Sequence, residues 1–230
     1  MALLHRAELR PSKTEIIAEW ARSRSWFEGD PEAPFEKLAS FRFDDPEGEV
    51  GIETLLVTAG GPLLQVPLTY RGSPLAGGEA WLLGTMEHSV LGTRYAYDGM
   101  GDPAFVAALA TAALTGGSQA DEYVEVDGER VFREPTAVVT GSGNAGSRAV
   151  AASDLAAPAT RDERGITVAT LRGLRVALAR VPGPGSDAGA LASAAGVPAG
   201  AGATEDGLRE VVTGTWAGGD PVTLAVVLVD

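Results

Sequence analysis

The chain has 230 residues, 45% of them apolar, with 31 acidic against 18 basic residues and a net charge of −13. That length and apolar share support one large domain or two small ones and exclude wholesale disorder, and so acidic a surface argues against nucleic acid as a partner. Cysteine is absent, which excludes disulfides, thiolate zinc sites and thiol nucleophiles and fits a cytoplasmic protein. No run approaches the roughly 18 apolar residues of a membrane span, and Met1 to Arg10 lacks the apolar stretch of a secretory signal.

In chain order, Ser12 and Glu15 form a capping box for a first helix, with Ile16, Ile17 and Trp20 as its apolar stripe; it fades near Ser25. Strand-like runs follow at Phe35 to Phe43, Val50 to Val57, Leu63 to Arg71, Glu79 to Gly84 and Thr93 to Tyr97. Asp102 and Pro103 open a second helix, whose apolar face is Phe105, Val106, Leu109 and Leu114 and which Gly116-Gly117 ends. Tyr123 to Val126 and Val131 to Thr140 read as a hairpin across Asp127-Gly128. From Gly141 the composition shifts: residues 141–163 are rich in Gly, Ser and Ala, and residues 182–203 in Gly, Pro and Ala. Between them lie strand candidates Ile166 to Leu171 and Leu174 to Val181. A closing hairpin runs from Glu210 to Trp216 and from Pro221 to Val229. The expected organisation is an α+β unit over residues 1–140, a curved antiparallel sheet with packed helices, followed by a smaller β-rich unit over 141–230.

Four constellations bear on chemistry. Gly141-Ser142-Gly143-Asn144-Ala145-Gly146 has the G-x-G-x-x-G spacing, but no helix pattern or acid-ended strand follows, so a flexible loop is the expectation. The carboxylates Asp44, Asp45, Glu47 and Glu49 flank a turn and read as a solvated loop, ahead of acid–base or calcium chemistry. Tyr70, Trp81, Tyr95 and Tyr97 suggest an aromatic set along one sheet. Glu87, His88, Arg94, Tyr97 and Asp98 are the candidate ligand-binding residues. With only one other histidine, His5, and no nucleophile elbow, no catalytic or metal-binding set and no cofactor is assigned.

The ordered pattern Trp20, Trp26-Phe27-x-Gly29, Gln65-Val66-Pro67-Leu68-Thr69-Tyr70-Arg71, Gly84-Thr85, Tyr97-Asp98 and Asp102-Pro103-x-Phe105 resembles the N-terminal cap of actinobacterial maltokinases and related aminosugar kinases, over residues 10 to about 140. The resemblance implies a cystatin-like curved sheet and a place in maltose, trehalose or α-glucan metabolism. Thr167 to Pro182 looks like a strand pair of a kinase N-lobe. There the lysine that holds the α- and β-phosphates corresponds to Ala177, and no lysine follows Lys37. The helix that would bring its glutamate partner corresponds to Ser186 to Gly196, which has one acid, Asp187. Trp216 and Pro221 to Val229 resemble the last N-lobe strands, and the catalytic and magnesium-binding aspartates have no counterpart. Phosphoryl transfer rests on lysine and magnesium neutralising charge, so the expectation is a non-catalytic binding or regulatory protein, a cap joined to a degenerate N-lobe-like remnant. Its partner would be an α-glucan or trehalose enzyme or a small carbohydrate. The contact regions would be the loops Gly72 to Gly78 and Thr85 to Arg94 and an open β edge near Val222 to Val229. The alternative is a carbohydrate-binding protein or sugar-active enzyme with a pocket around His88, Tyr97 and Asp98, and a third reading is nucleotide binding without turnover.

Overall fold

The computed structural model describes residues 2–4, 8–126, 128–197 and 208–230. His5, the turn residue Asp127 and residues 198–203 of the second Gly-rich stretch lie outside them. In chain order the strands and helices are β1 (Ala2–Leu4), β2 (Leu9–Arg10), α1 (Lys13–Ala21), β3 (Glu36–Phe43), β4 (Gly51–Thr58), β5 (Leu64–Arg71), β6 (Leu82–His88), β7 (Gly92–Asp98), α2 (Pro103–Thr115), β8 (Glu122–Val126), β9 (Glu129–Arg133), β10 (Ala137–Gly141), β11 (Ala159–Glu163), β12 (Ile166–Leu171), β13 (Leu174–Ala179), α3 (Ala188–Ala194), β14 (Leu208–Trp216) and β15 (Val222–Val229). Strands take 42% of the described residues and helices 18%, so the fold is mostly β, built of curled antiparallel sheets with few helices.

Two six-stranded sheets, ordered β2-β6-β7-β5-β4-β3 and β10-β14-β15-β13-β12-β11, enclose α2. The alternation of side chains along each strand sorts them into layers. On β4, Ile52 and Leu56 join α2 in one apolar cluster, while Leu55 and Val57 join Ile17, Trp20 and Ala21 of α1 in another. On β13, Val176 and Leu178 face the α2 cluster, whereas Ala177 and Ala179 pack with Leu191 and Ala192 of α3. The order through the molecule is therefore α1, first sheet, α2, second sheet, α3. Each fully buried leucine or valine in these layers contributes about 1.5–3 kcal/mol of transfer free energy.

The middle position explains the composition of α2. It holds no charged residue, and nine of its thirteen residues are buried rather than one stripe; a helix covered on both sides is apolar all round. Its N-terminus is capped by Asp102, whose Oδ1 accepts from the Ala104 N–H at 2.9 Å. Gly116 ends it in the left-handed conformation, with φ +68°. The G-x-G-x-x-G stretch then finishes the job: the N–H groups of Gly143 and Asn144 donate to the carbonyls of Ala113 and Leu114 at 2.9 and 3.0 Å. A Cβ at Gly141 would run into the Ala112 carbonyl, and one at Gly143 into that of Leu114. The glycines thus allow close approach to a helix C-terminus, a use opposite in sign to phosphate binding at an N-terminus.

Several sequence expectations shift. Glu79–Trp81 is a 3-10 turn and the strand begins at Leu82, so Thr85 to His88 and Gly92 to Arg94 are paired strand rather than loop. The run Val131 to Thr140 is broken: β9 ends at Arg133 and β10 begins at Ala137 in a different sheet. Pro135 has no N–H to continue a ladder, and Thr136 instead uses its hydroxyl to bond the backbone N–H and carbonyl of Ser40 on β3, at 2.9 and 3.0 Å. β15 is not an edge, since it lies between β14 and β13. Pro67, inside β5, is tolerated for a clear reason. Two residues earlier, the Gln65 N–H points away from β4 to the Arg180 carbonyl at 2.8 Å, and β7 begins to pair only at Leu68. The N–H that Pro67 lacks would point to that unpaired side.

Candidate functional site

A polar hollow of the first sheet is built around an acid in an apolar strand. Glu53 sits in the centre of β4, 4% exposed, and a carboxylate there must be paired to remain charged. Three donors converge on its Oε2: Lys13 Nζ at 2.5 Å, Arg42 Nη2 at 3.1 Å and the Tyr70 hydroxyl at 3.1 Å. The first turn of α1 supplies Lys13, β3 supplies Arg42 and β5 supplies Tyr70. The Lys13 ammonium also lies 5.3 Å from the Tyr70 ring centre. Burial pushes the Glu53 carboxyl upward, but Arg42 and Lys13 outweigh it and bring it from 4.5 to about 2. Burial lowers the Lys13 ammonium against the pull of Glu53. The Tyr70 phenol is raised by burial and then by the neighbouring Glu53. The charge chain continues outward, with Glu122 lying 3.9 Å from Arg42 and 3.8 Å from Arg133.

Around this centre opens a cleft of about 590 Å³. Its charged lining is balanced: Lys13, Lys37, Arg42, Arg94 and Arg133 against Asp44, Asp45, Glu49, Glu53 and Glu122. Both lysines of the chain are here. Asp45 is occupied in shaping the rim, since its carboxylate accepts from the N–H groups of Glu47, Glu49 and Val50 at 3.1, 3.2 and 2.9 Å. Among the described residues no group of three or more His, Asp or Glu is placed to hold a metal ion.

The five residues singled out from sequence do not share one pocket. His88 and Arg94 line this cleft. His88 Nδ1 accepts from the N–H groups of Val90 and Leu91 at 3.2 and 3.1 Å, and Arg94 Nη2 donates to the Leu91 carbonyl at 2.8 Å, so both organise the β6–β7 turn. Glu87 is exposed and accepts the Thr93 hydroxyl at 2.8 Å. Tyr97 is 2% exposed, and its hydroxyl accepts from the Leu75 N–H at 2.9 Å. Asp98 turns to the opposite face of β7 from Tyr97 and binds Arg180. It borders a second hollow of about 450 Å³, lined also by Trp20, Trp26, Trp81, Arg24 and Thr160.

The site residues missed from sequence are Lys13, Arg42 and Glu53, while Tyr70 was read only as one of an aromatic set along one sheet. One signal was available: Gly51–Thr58 reads GIETLLVT, and an acid inside such a strand requires a partner.

Comparison with known proteins supplies one match. Residues 20–102 fit the family model described as the maltokinase N-terminal cap domain. No curated protein and no solved structure matches the chain. The matched stretch runs from Trp20, in the cluster under α1, to Asp102, the cap of α2, and takes in all of β3 to β7, so over these residues the chain is similar to the maltokinase N-terminal cap domain.

Proposed function

We propose that the chain is a non-catalytic binding module related to the maltokinase cap, and that the Glu53 cleft is its ligand site, taking a small neutral carbohydrate. The charge balance of the cleft carries this reading. Five bases and five acids line it, so donors and acceptors are both present with no excess that would select a phosphate, and a polyhydroxyl ligand needs both. Tyr70 and Phe43 add ring surface. Tying such a ligand to maltose, trehalose or α-glucan metabolism rests on the family match alone.

The same reading takes residues 1–140 as a cystatin-like cap and residues 141–230 as a kinase N-lobe-like unit without phosphoryl-transfer chemistry. Support comes from the element order β12, β13, α3, β14, β15 within one sheet and its packed helix. At the position matching the phosphate-binding lysine, Ala177 is fully buried against Leu191 and Ala192 of α3, leaving no charge pair of the kind a kinase requires. The absence of cysteine fits a cytoplasmic setting.

The test is calorimetric titration with maltose, trehalose, maltooligosaccharides and ATP-magnesium, beside a coupled kinase assay. The expected result is saturable heat with a saccharide, weakened about tenfold or more by Lys37→Ala or Arg94→Ala, and none with ATP. Silence from every sugar, or binding indifferent to both substitutions, overturns the ligand assignment; ATP turnover overturns the non-catalytic one.

A further inference from the structure

The third sheet, ordered β1-β8-β9, ends on β9, whose outer edge pairs with no other strand among the described residues. All five residues of β9, Glu129, Arg130, Val131, Phe132 and Arg133, are exposed, with Val131 and Phe132 each at 45%. Uncovered edges are normally short, charged or bulged to prevent pairing. This one carries charges, but their arrangement is self-complementary. When two copies of β9 are set antiparallel about a two-fold axis at Val131, each residue i faces residue 262 − i of the other copy. Glu129 then faces Arg133, Arg130 faces Phe132, and Val131 faces itself. One face of the new ladder holds two acid–base pairs flanking a valine pair, and the other holds two Arg–Phe contacts of the cation–π type. The register works whichever alternate set of N–H and C=O groups points outward, because a two-fold axis can pass through either kind of antiparallel pair.

We infer that β9 is a homodimerisation edge and that its occupant is β9 of a second copy, paired antiparallel about Val131. The symmetry is isologous, as in a C2 dimer. The tie of Arg133 to Glu122, at 3.8 Å, is loose, and Arg133 remains 44% exposed in its side chain, so its guanidinium is accessible to the second copy.

Sedimentation equilibrium on the whole chain from micromolar to millimolar concentration, with circular dichroism to verify folding, tests this. The wild type is expected to dimerise reversibly. Glu129→Arg alone sets arginine against Arg133 twice, and Arg133→Glu alone sets glutamate against Glu129 twice; each is expected to raise the dissociation constant about tenfold or more. An equimolar mixture of the two variants restores both acid–base pairs and is expected to regain wild-type affinity as a heterodimer. A wild type that stays monomeric throughout overturns the inference. So does a dimer unaffected by either substitution, which would place its interface elsewhere, and so does a mixture no tighter than the separate variants.

Discussion

Arg180 and Asp98, 82 residues apart, form a buried ion pair, with Arg180 Nη2 2.5 Å from Asp98 Oδ2. Arg180 is 1% exposed, donates through Nε to the Thr167 hydroxyl at 2.7 Å, and lies 5.7 and 5.1 Å from the ring centres of Trp20 and Trp26. It follows β13 of the second sheet, while Asp98 ends β7 of the first, so the pair fastens one sheet to the other.

Removing one partner leaves an uncompensated buried charge. Asp98→Ala and Arg180→Ala are each expected to lower unfolding stability by about 3–5 kcal/mol in urea titrations, and replacing both with leucine and methionine to recover much of the loss. Single substitutions that cost under about 1 kcal/mol would mean that water reaches the pair.

Acid stability reports on Glu53. Its folded carboxyl titrates at about 2, below the 4.5 of an unperturbed glutamate. A depressed carboxylate contributes stability that is fully present above the unfolded value and is lost as pH falls towards the folded one. The wild type is therefore expected to lose on the order of 3 kcal/mol between pH 4.5 and pH 2 through this group. Glu53→Gln should be less stable at pH 7 and show a shallower decline across that window. Parallel pH profiles for the two proteins would exclude the assignment.

The Gly-rich loop separates two uses of one motif. Gly143→Ala drives a methyl into the Leu114 carbonyl, whereas Gly146 has only the Asn144 side-chain oxygen near its Cβ position, at 3.1 Å. Gly143→Ala is expected to destabilise by about 2 kcal/mol or more and Gly146→Ala by well under 1. Equal effects in thermal melts, or a loss of nucleotide binding with no loss of stability, would contradict the helix-end role.

Ala177→Lys tests the degenerate lobe. It would bury an ammonium in the apolar cluster of Leu191, Ala192, Val226 and Leu228. The expected outcome is destabilisation of about 4 kcal/mol or more and no gain of ATP binding. A stable variant that binds ATP would show that the site needs only its lysine.

The sequence by itself determined the local elements. The capping box at Ser12 and Glu15 forms as read, with the Ser12 N–H donating to Glu15 Oε2 at 2.8 Å. Asp102 with Pro103, the turn glycines and the alternating strands are equally legible, because each rests on a few neighbouring residues and steric rules. Tertiary structure decided what each polar residue does. Alternation along β7 could place Tyr97 and Asp98 on opposite faces, but only the fold buried Tyr97 with its hydroxyl on the Leu75 N–H, and only the second sheet delivered Arg180 to Asp98. Likewise Lys13, Arg42, Glu53 and Tyr70 come from four elements, and nothing in their spacing along the chain announces that they meet. Their meeting is fixed by the pairing of β3, β4 and β5 and by α1 lying across them, since burying a carboxylate in an apolar sheet is sustainable only where long-range contacts bring cations to it.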